Sequence, residues 1–307
     1  FFLWQSAAYE ISACLVGAGV CIRDRNPSAG RRKRVLLDDV VGRVRAAGAD
    51  VTIELTEAAG HATELARNAA RAGHADVIVA AGGDGTINEV ARGLLGQGVP
   101  LGIVPLGTAN VLAVEIGLPL QAENVASMLL GGPAELIGTG LVQGEIFLMM
   151  VGIGFDGEIV HGIDPKLKRL WGKGAFIWSG LRTWVRGPAH DIRFIVDGRE
   201  KRAAWAIATN GRHYAGPYVI APAQDITQPG LTLFLFRKPS RFAFAIYLAA
   251  LGLGLVPRLS SVEVIPARHI DVLGPEGLAV EVDGDDRGVL PQTIEQGTQF
   301  LRMVVPG

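Results

Sequence analysis

Asp84 stands among three glycines in the run Gly82-Gly83-Asp84-Gly85-Thr86-Ile87-Asn88-Glu89. The run joins a short β-branched stretch, 76–81, to a helical pattern that continues through Leu95. Successive glycine N–H groups can form a nest for an anion, and a helix N-terminus behind them adds about half a positive charge. A bare carboxylate is badly placed beside phosphate unless a cation lies between the two or the carboxylate removes a proton. Both are roles met in phosphoryl transfer. A plainer account covers part of the run. Thr86 followed by Glu89 spells a capping box, Ile87, Val90, Ala91 and Leu94 form an apolar helix face, and the glycines permit a tight turn at positive φ. That account leaves Asp84 without a task.

Two other loops repeat the pattern. Pro105-Leu106-Gly107-Thr108-Ala109-Asn110 again follows an apolar run and precedes a helical one, with Thr108 a candidate cap. Asn26-Pro27-Ser28-Ala29-Gly30 is a third loop of small polar residues. Loops after consecutive strands of a parallel sheet line one edge, so the three together suggest one shared nucleotide site.

The elements that must position them are legible along the first 130 or so residues. Strand-like runs at 19–23, 51–55, 76–81 and 100–105 alternate with helical patterns at 35–47, 62–72 and 108–116 and with the helix after the glycine run. Such alternation implies a parallel α/β sheet with crossover helices. Beyond Gly131-Gly132-Pro133 the texture changes. Runs at 145–151, 191–197, 202–209, 231–236, 261–265, 269–273 and 278–282 read as strands of an antiparallel β domain, interrupted by helical stretches at 164–187 and 238–256. The expected division is an α/β nucleotide-binding domain over 15–132, a β-sandwich domain over 133–290, and a segment 291–307 that packs back on the first domain.

Composition narrows the function classes. The chain has 307 residues, enough for two domains with buried cores, and a formal net charge of −1 that does not argue for nucleic acid. Two cysteines and six scattered histidines provide neither a disulfide framework nor zinc spacing. The chain opens Phe1-Phe2 without a methionine, so its true start is expected upstream, and no basic region or cleavage site marks a signal peptide. The longest apolar run, 242–256, is shorter than the roughly 18–20 residues a membrane span needs. The expected location is cytoplasmic, peripheral at the inner face of the membrane. Lys166, Lys168, Arg169, Lys173, Arg182 and Arg186 interleave with Trp171, Phe176, Trp178 and Trp184, without an acidic residue among them. That mixture suits an anionic membrane surface, and equally a solvated helix whose tryptophans pack inward. Arg237, Lys238 and Arg241 ahead of 242–256 offer a second contact, although that run reads first as a helix packed on the β domain. A homodimer is compatible with the sequence.

Taken together, the glycine run with Asn88 and Glu89, the 105–110 loop and the 26–30 loop resemble the diacylglycerol kinase catalytic-domain family, which includes bacterial lipid kinases and the sphingosine and ceramide kinases. Gly152-Ile153-Gly154-Phe155-Asp156, Asn210-Gly211 and Pro222-Ala223 extend the resemblance through the second half. It implies an N-terminal α/β domain of the NAD kinase/diacylglycerol kinase type with a C-terminal antiparallel β-sandwich, and transfer of the γ-phosphate of ATP to a lipid hydroxyl. By motif match the nucleotide would meet Asn26, Pro27, Ser28, Ala29, Gly30, Thr56, Gly82, Gly83, Asp84, Gly85, Thr86, Ile87, Asn88 and Thr108, with Asp84 holding the ATP-bound Mg²⁺. Two departures stand out. Where bacterial members carry Asp-Gly-Glu, with the glutamate as proton acceptor, the chain has Asp283-Gly284-Asp285. Asp285 is then the candidate base, and the same residues also spell a hairpin turn. Where many members carry Asp-Asp-Gly for a structural Mg²⁺, the chain has Gln228-Pro229-Gly230, which removes the expected ligand.

Three other functions fit parts of the sequence. An NAD kinase shares the first motif but not the Thr-Pro-Thr-Gly-Ser-Thr-like run. A dinucleotide-dependent oxidoreductase would use Gly152-Ile153-Gly154-Phe155-Asp156-Gly157 as GxGxxG. Pro165 and the lack of an acidic residue between Asp164 and Asp191 count against it. A catalytically inactive nucleotide- or lipid-binding protein would account for both departures.

Overall fold

The computed structural model describes residues 18–23, 31–161 and 190–307. Asn26, Pro27, Ser28, Ala29 and Gly30, and the basic stretch 166–186, lie outside the described residues. The chain divides into two units, Phe1–Ile137 with Gln299–Gly307, and Gly138–Thr298.

The first unit begins β1 (Ala18–Arg23), α1 (Arg31–Ala46), β2 (Asp50–Leu55), α2 (His61–Ala72), β3 (Val77–Gly82), α3 (Asp84–Leu94) and β4 (Leu101–Pro105). A short α4 (Val111–Glu115), α5 (Ala122–Gly131) and β5 (Ala134–Ile137) follow. The sheet order is β2-β1-β3-β4-β20-β5, where β20 (Leu301–Val304) is the last strand of the chain. The first four strands are parallel. β20 runs parallel to β4 and antiparallel to β5.

Local sequence explains the interior of this sheet. β3 and β4 are unbroken apolar runs, as strands covered on both faces must be, and Ile78, Ala80, Ala81, Leu101, Ile103 and Val104 are buried. Helices pair as α1 with α5 and α2 with α3, and right-handed crossovers put the pairs on opposite faces. The α2–α3 contact is close because Gly93 lacks a side chain: a Cβ there would lie 2.5 Å from the Thr63 carbonyl. Helix α5 was not foreseen. Its Leu129 lies over Gly102 of β4, where a Cβ would come within 2.5 Å of a Leu129 methyl.

The second unit is a sandwich of antiparallel strands. One sheet has the order β10 (Arg199–Ala203), β9 (Ile192–Val196), β16 (His269–Gly274), β19 (Gln292–Gln296), β6 (Gly140–Val142), β7 (Glu145–Phe147). The other runs β15 (Val262–Ala267), β14 (Leu231–Phe236), β11 (Trp205–Thr209), β8 (Met150–Ile153), β17 (Ala279–Val282), β18 (Asp285–Val289). A hairpin of β12 (His213–Tyr214) and β13 (Tyr218–Val219) stands apart. The core draws on both sheets, with Phe147, Phe194, Ile270 and Ile294 from one and Val151, Ile153, Leu233 and Val280 from the other. Helix α6 (Phe155–His161) follows β8, and α7 (Arg241–Gly252) follows β14.

Both expected boundaries move. The first unit extends to Ile137 because β5 pairs with β20. Residues 292–296, expected with the returning segment, pair instead with β16 and β6. Only Gln299–Gly307 group with the first unit.

Candidate active site

All four parallel strands of the first unit end on the same edge, so the loops after β2, β3 and β4 share it. The chain leaves β1 toward β2 on one side and reaches β3 on the other. Such a reversal of strand order opens a crevice at the carboxyl ends of the strands, which is where open α/β sheets bind ligands.

Asp84 joins two of these loops. It is the first residue of α3, and its carboxylate accepts the backbone N–H of Asn110 at 3.0 Å and of Val111 at 2.8 Å. These are donors at the start of α4, whose Asn110 cap supplies no side-chain bond of its own. The loops also touch at their glycines. A Cβ on Gly107 would lie 2.6 Å from Asn110 Oδ1 and 2.8 Å from Gly83 Cα. Gly82 is fixed by Thr86, whose side chain folds back to within 2.5 Å of where a Gly82 Cβ would stand.

Two local expectations are corrected. Gly82, Gly83 and Gly107 do not adopt positive φ; close approach, not handedness, requires glycine there. Nor does Thr86–Glu89 form a capping box. The helix starts two residues earlier, with Gly83 as a cap lacking a side-chain bond. The Glu89 carboxylate instead accepts the Ala62 N–H at 3.3 Å, capping α2, and the Glu89 carbonyl accepts the Thr63 hydroxyl.

The remaining candidates are placed as follows. Thr56 is buried just past β2, and Thr108 is exposed in the β4–α4 loop. Gly85 lies in the first turn of α3 and Asn88 in its second, with Asn88 buried. Ile87 cannot act through its side chain, which is in the core, and its N–H is committed to the Gly83 carbonyl. One residue was missed. Asn110 adopts φ 50°, is buried, and holds Oδ1 without a hydrogen-bond partner over Gly107. Asparagine tolerates this left-handed conformation better than most residues, and that was the signal in the sequence.

This edge suits phosphate. The first N–H groups of α3 have no acceptor within the helix, and the paired glycines let an anion approach backbone closely. Among the described residues no group of three or more His, Cys, Asp or Glu could hold a metal ion. A divalent cation carried by a nucleotide is a hard acid that takes oxygen ligands, the class to which the Asp84 carboxylate belongs.

The second unit carries a different cluster. Asp283 and Gly284 form the turn between β17 and β18 with φ of 51° and 85°, the mirror-image geometry favoured in two-residue hairpins. Asp285 is the first residue of β18, half-buried beside this turn. The Asp283 carboxylate is buried and accepts the N–H groups of Leu148, Met149 and Met150 at 2.8 to 2.9 Å. Asn210 Nδ2 donates to the Leu148 and Gly138 carbonyls, and Thr209 Oγ1 donates to that of Met149. The break between β7 and β8 is thus held from both sides.

Behind the turn lie Asp156 and Glu281, both buried. Their side chains flank Gly152, where a Cβ would meet Asp156 Cβ at 2.5 Å and Glu281 Oε1 at 2.7 Å. Tyr214 donates its hydroxyl to Asp156 Oδ1 at 2.7 Å, and Asp156 Oδ2 is buried without a partner. Burial raises the Asp156 carboxyl to about 7, against the downward pull of the Tyr214 hydroxyl. Burial, then the charge of Asp156, push Glu281 well above the carboxylate range, although its Oε2 accepts the Gly284 N–H at 2.8 Å. Burial also raises Asp283 against its three N–H donors. A carboxyl that titrates near neutrality can give or take a proton under working conditions. Glu281 had a signal in the sequence: a charge inside the apolar run Ala279-Val280-Glu281-Val282 needs a reason.

Two motifs resolve differently. Gly152 and Ile153 end β8, whose neighbours β11 and β17 are antiparallel, and Phe155 to Gly157 begin α6, so the GxGxxG spacing does not belong to a βαβ unit. At Gln228-Pro229-Gly230, the Gln224 amide donates to the Gly230 carbonyl at 2.9 Å and accepts the Thr232 hydroxyl. The Asp225 carboxylate is turned to Thr227, which holds it below its ordinary value.

Known proteins share both halves of this arrangement. Residues 25–142 match the diacylglycerol kinase catalytic domain, and residues 149–305 match the YegS C-terminal NAD kinase beta sandwich-like domain. The chain is 33% identical over 241 residues to a Pseudomonas fluorescens protein named "Probable lipid kinase YegS-like", covering 74% of this chain and 79% of that one. It is 28% identical over 288 residues to the diacylglycerol kinase of Bacillus subtilis, covering 92% and 94%. The crystal structure of a Bacillus anthracis diacylglycerol kinase superposes with a TM-score of 0.70 at 21% identity, over 94% of this chain and 96% of that one, which shows the common fold. With both domain families matched in order and these relatives aligned across them, the chain belongs to the diacylglycerol kinase catalytic-domain family of YegS-like lipid kinases.

Proposed function

We propose that the protein transfers the γ-phosphate of ATP to a hydroxyl of a lipid such as diacylglycerol or a sphingoid- or ceramide-type lipid. The observation that carries this reading is the Asp84 clamp. It holds two glycine loops together at the carboxyl end of a parallel sheet, with helix N–H groups and a buried, unpartnered Asn110 oxygen beside them. The names of the relatives support a lipid acceptor. Asn26 to Gly30, Thr56, the backbone of 82–86, Asn88 and Thr108 would hold the nucleotide. Asp84 would meet the nucleotide-bound Mg²⁺, which neutralises phosphate charge, or align the attacking hydroxyl. Asp285 would take the hydroxyl proton. A carboxylate suffices as base because the proton need leave only late in a loose transition state.

The test is purified protein with Mg²⁺, ATP labelled in its γ-phosphate and vesicles carrying a panel of lipid alcohols. Label in one lipid product supports the reading and names the acceptor. ATP binding without transfer to any lipid overturns it in favour of a nucleotide-binding protein.

A further inference from the structure

Helix α7 is apolar around its whole circumference, yet only half of it is covered. Ala243, Phe244, Tyr247 and Ala250 are buried. Phe244 lies 3.9 Å, centroid to centroid, from Phe155, and Tyr247 lies 4.9 Å from Phe236. The other face carries Phe242, 78% exposed, Ile246, Leu248 and Leu253, 72% exposed. Ala245, Ala249 and Gly252 fill the positions between them. Past Arg241 this outward face has no polar side chain. Ser240 caps the helix, its Oγ accepting the Ala243 N–H at 3.1 Å, and the aromatic cluster pins the inner face. The apolar stripe is therefore presented on a fixed element.

A helix that is apolar all round belongs where its whole circumference escapes water, and a contiguous exposed apolar patch marks a contact surface. Charge identifies the occupant. Arg237, Lys238 and Arg241 stand at the start of the helix and Arg258 beyond its end, all exposed, and no acidic residue occurs from 226 to 262. Arg237 keeps its guanidinium at this surface by donating to the Ser260 carbonyl at 2.8 Å. A second copy docked on the same face would set these cations against their own copies. Twelve residues make a helix of about 18 Å, too short for a hydrocarbon core of about 30 Å. Lying flat, it would put its apolar face among acyl chains and its cations beside anionic headgroups.

We propose that α7 is an in-plane docking helix, seating Phe242, Ile246, Leu248 and Leu253 in an anionic lipid surface, with Arg237, Lys238, Arg241 and Arg258 on the headgroups. The inference does not depend on phosphoryl transfer, because it is read without ATP. The full chain is sedimented with vesicles of phosphatidylcholine, alone or mixed with phosphatidylglycerol. Binding is expected to the mixed vesicles and to weaken in high salt. The pair Phe242→Glu and Leu253→Glu is expected to weaken it by about tenfold or more, with thermal stability unchanged because both side chains are exposed. A Phe242→Trp variant is expected to show a blue-shifted emission on the mixed vesicles. Binding of the double glutamate variant within about twofold of the parent overturns the proposal, as does unshifted emission. A parent dimer that the glutamates split, without loss of vesicle binding, assigns the face to a second copy and overturns it too. Docking without any lipid phosphorylation would leave this inference standing and sink the proposed activity.

Discussion

Asp84 Oδ1 lies 2.8 Å from the Val111 nitrogen, so a carboxylate at the start of one helix caps another that begins 27 residues later. The expectation from sequence gave Asp84 a task at a ligand. The structure gives it a prior one, holding the two glycine loops in register.

Asp84→Asn should separate these tasks. The amide keeps one acceptor and turns an NH₂ toward the other backbone donor. Loss of a charge-assisted pair predicts destabilisation of about 1–3 kcal/mol by denaturant unfolding. If Asp84 also serves the reaction, turnover at saturating ATP falls by about a hundredfold or more, well beyond any loss in ATP affinity. Full activity in this variant would remove Asp84 from the chemistry.

Gly107→Ala should disable the edge proposed to hold the nucleotide. Its Cβ would sit 2.8 Å from Gly83 Cα and 2.6 Å from Asn110 Oδ1, so the loops must part. ATP affinity measured by calorimetry is expected to fall by about tenfold or more, with circular dichroism unchanged.

The pH dependence of stability should report Asp156. Its carboxyl is raised from 3.8 to about 7, so the folded state holds the proton more tightly than the unfolded chain. The stability this proton provides is complete below 3.8 and is lost as pH rises through about 7. Melting temperature is therefore expected to decline across that window, and Asp156→Asn should make the decline shallower. Glu281 and Asp283, raised for the same reason, leave a residual slope of the same sign. Tyr214→Phe removes the hydroxyl that pulls Asp156 down and should move its midpoint upward.

What the sequence disclosed and what it hid divide by range. The parallel strands were legible because apolar runs stand between glycine loops, and a helix over 62–72 differs from the observed α2 by one residue. Features set by distant partners were not. The run 145–151 reads as one strand, yet Leu148 and Met149 break it because Asp283, more than 130 residues away, takes their N–H groups. Thr86 and Glu89 have capping-box spacing, but Glu89 faces Ala62 on another helix. Asp156 stands in a glycine motif that by itself gives it no role, since only the fold brings Tyr214 and Glu281 to it.

Asp285→Asn tests the proposed base. The substitution keeps size and removes the proton acceptor beside the Asp283–Gly284 turn. Turnover is expected to drop by about a hundredfold or more with ATP affinity unchanged, measured as label transferred to lipid. An undiminished rate would assign Asp285 to the hairpin alone.

The placement of β20 between β4 and β5 has a consequence for biosynthesis. The first sheet cannot close until residues 301–304 leave the ribosome, although β4 is finished at residue 105. At ~5–20 residues per second the nascent sheet keeps an open edge for roughly 10–40 s. An unpaired edge is an invitation to aggregation. The half encoded first therefore matures last, and no nascent chain can complete its parallel sheet before the sandwich has been made.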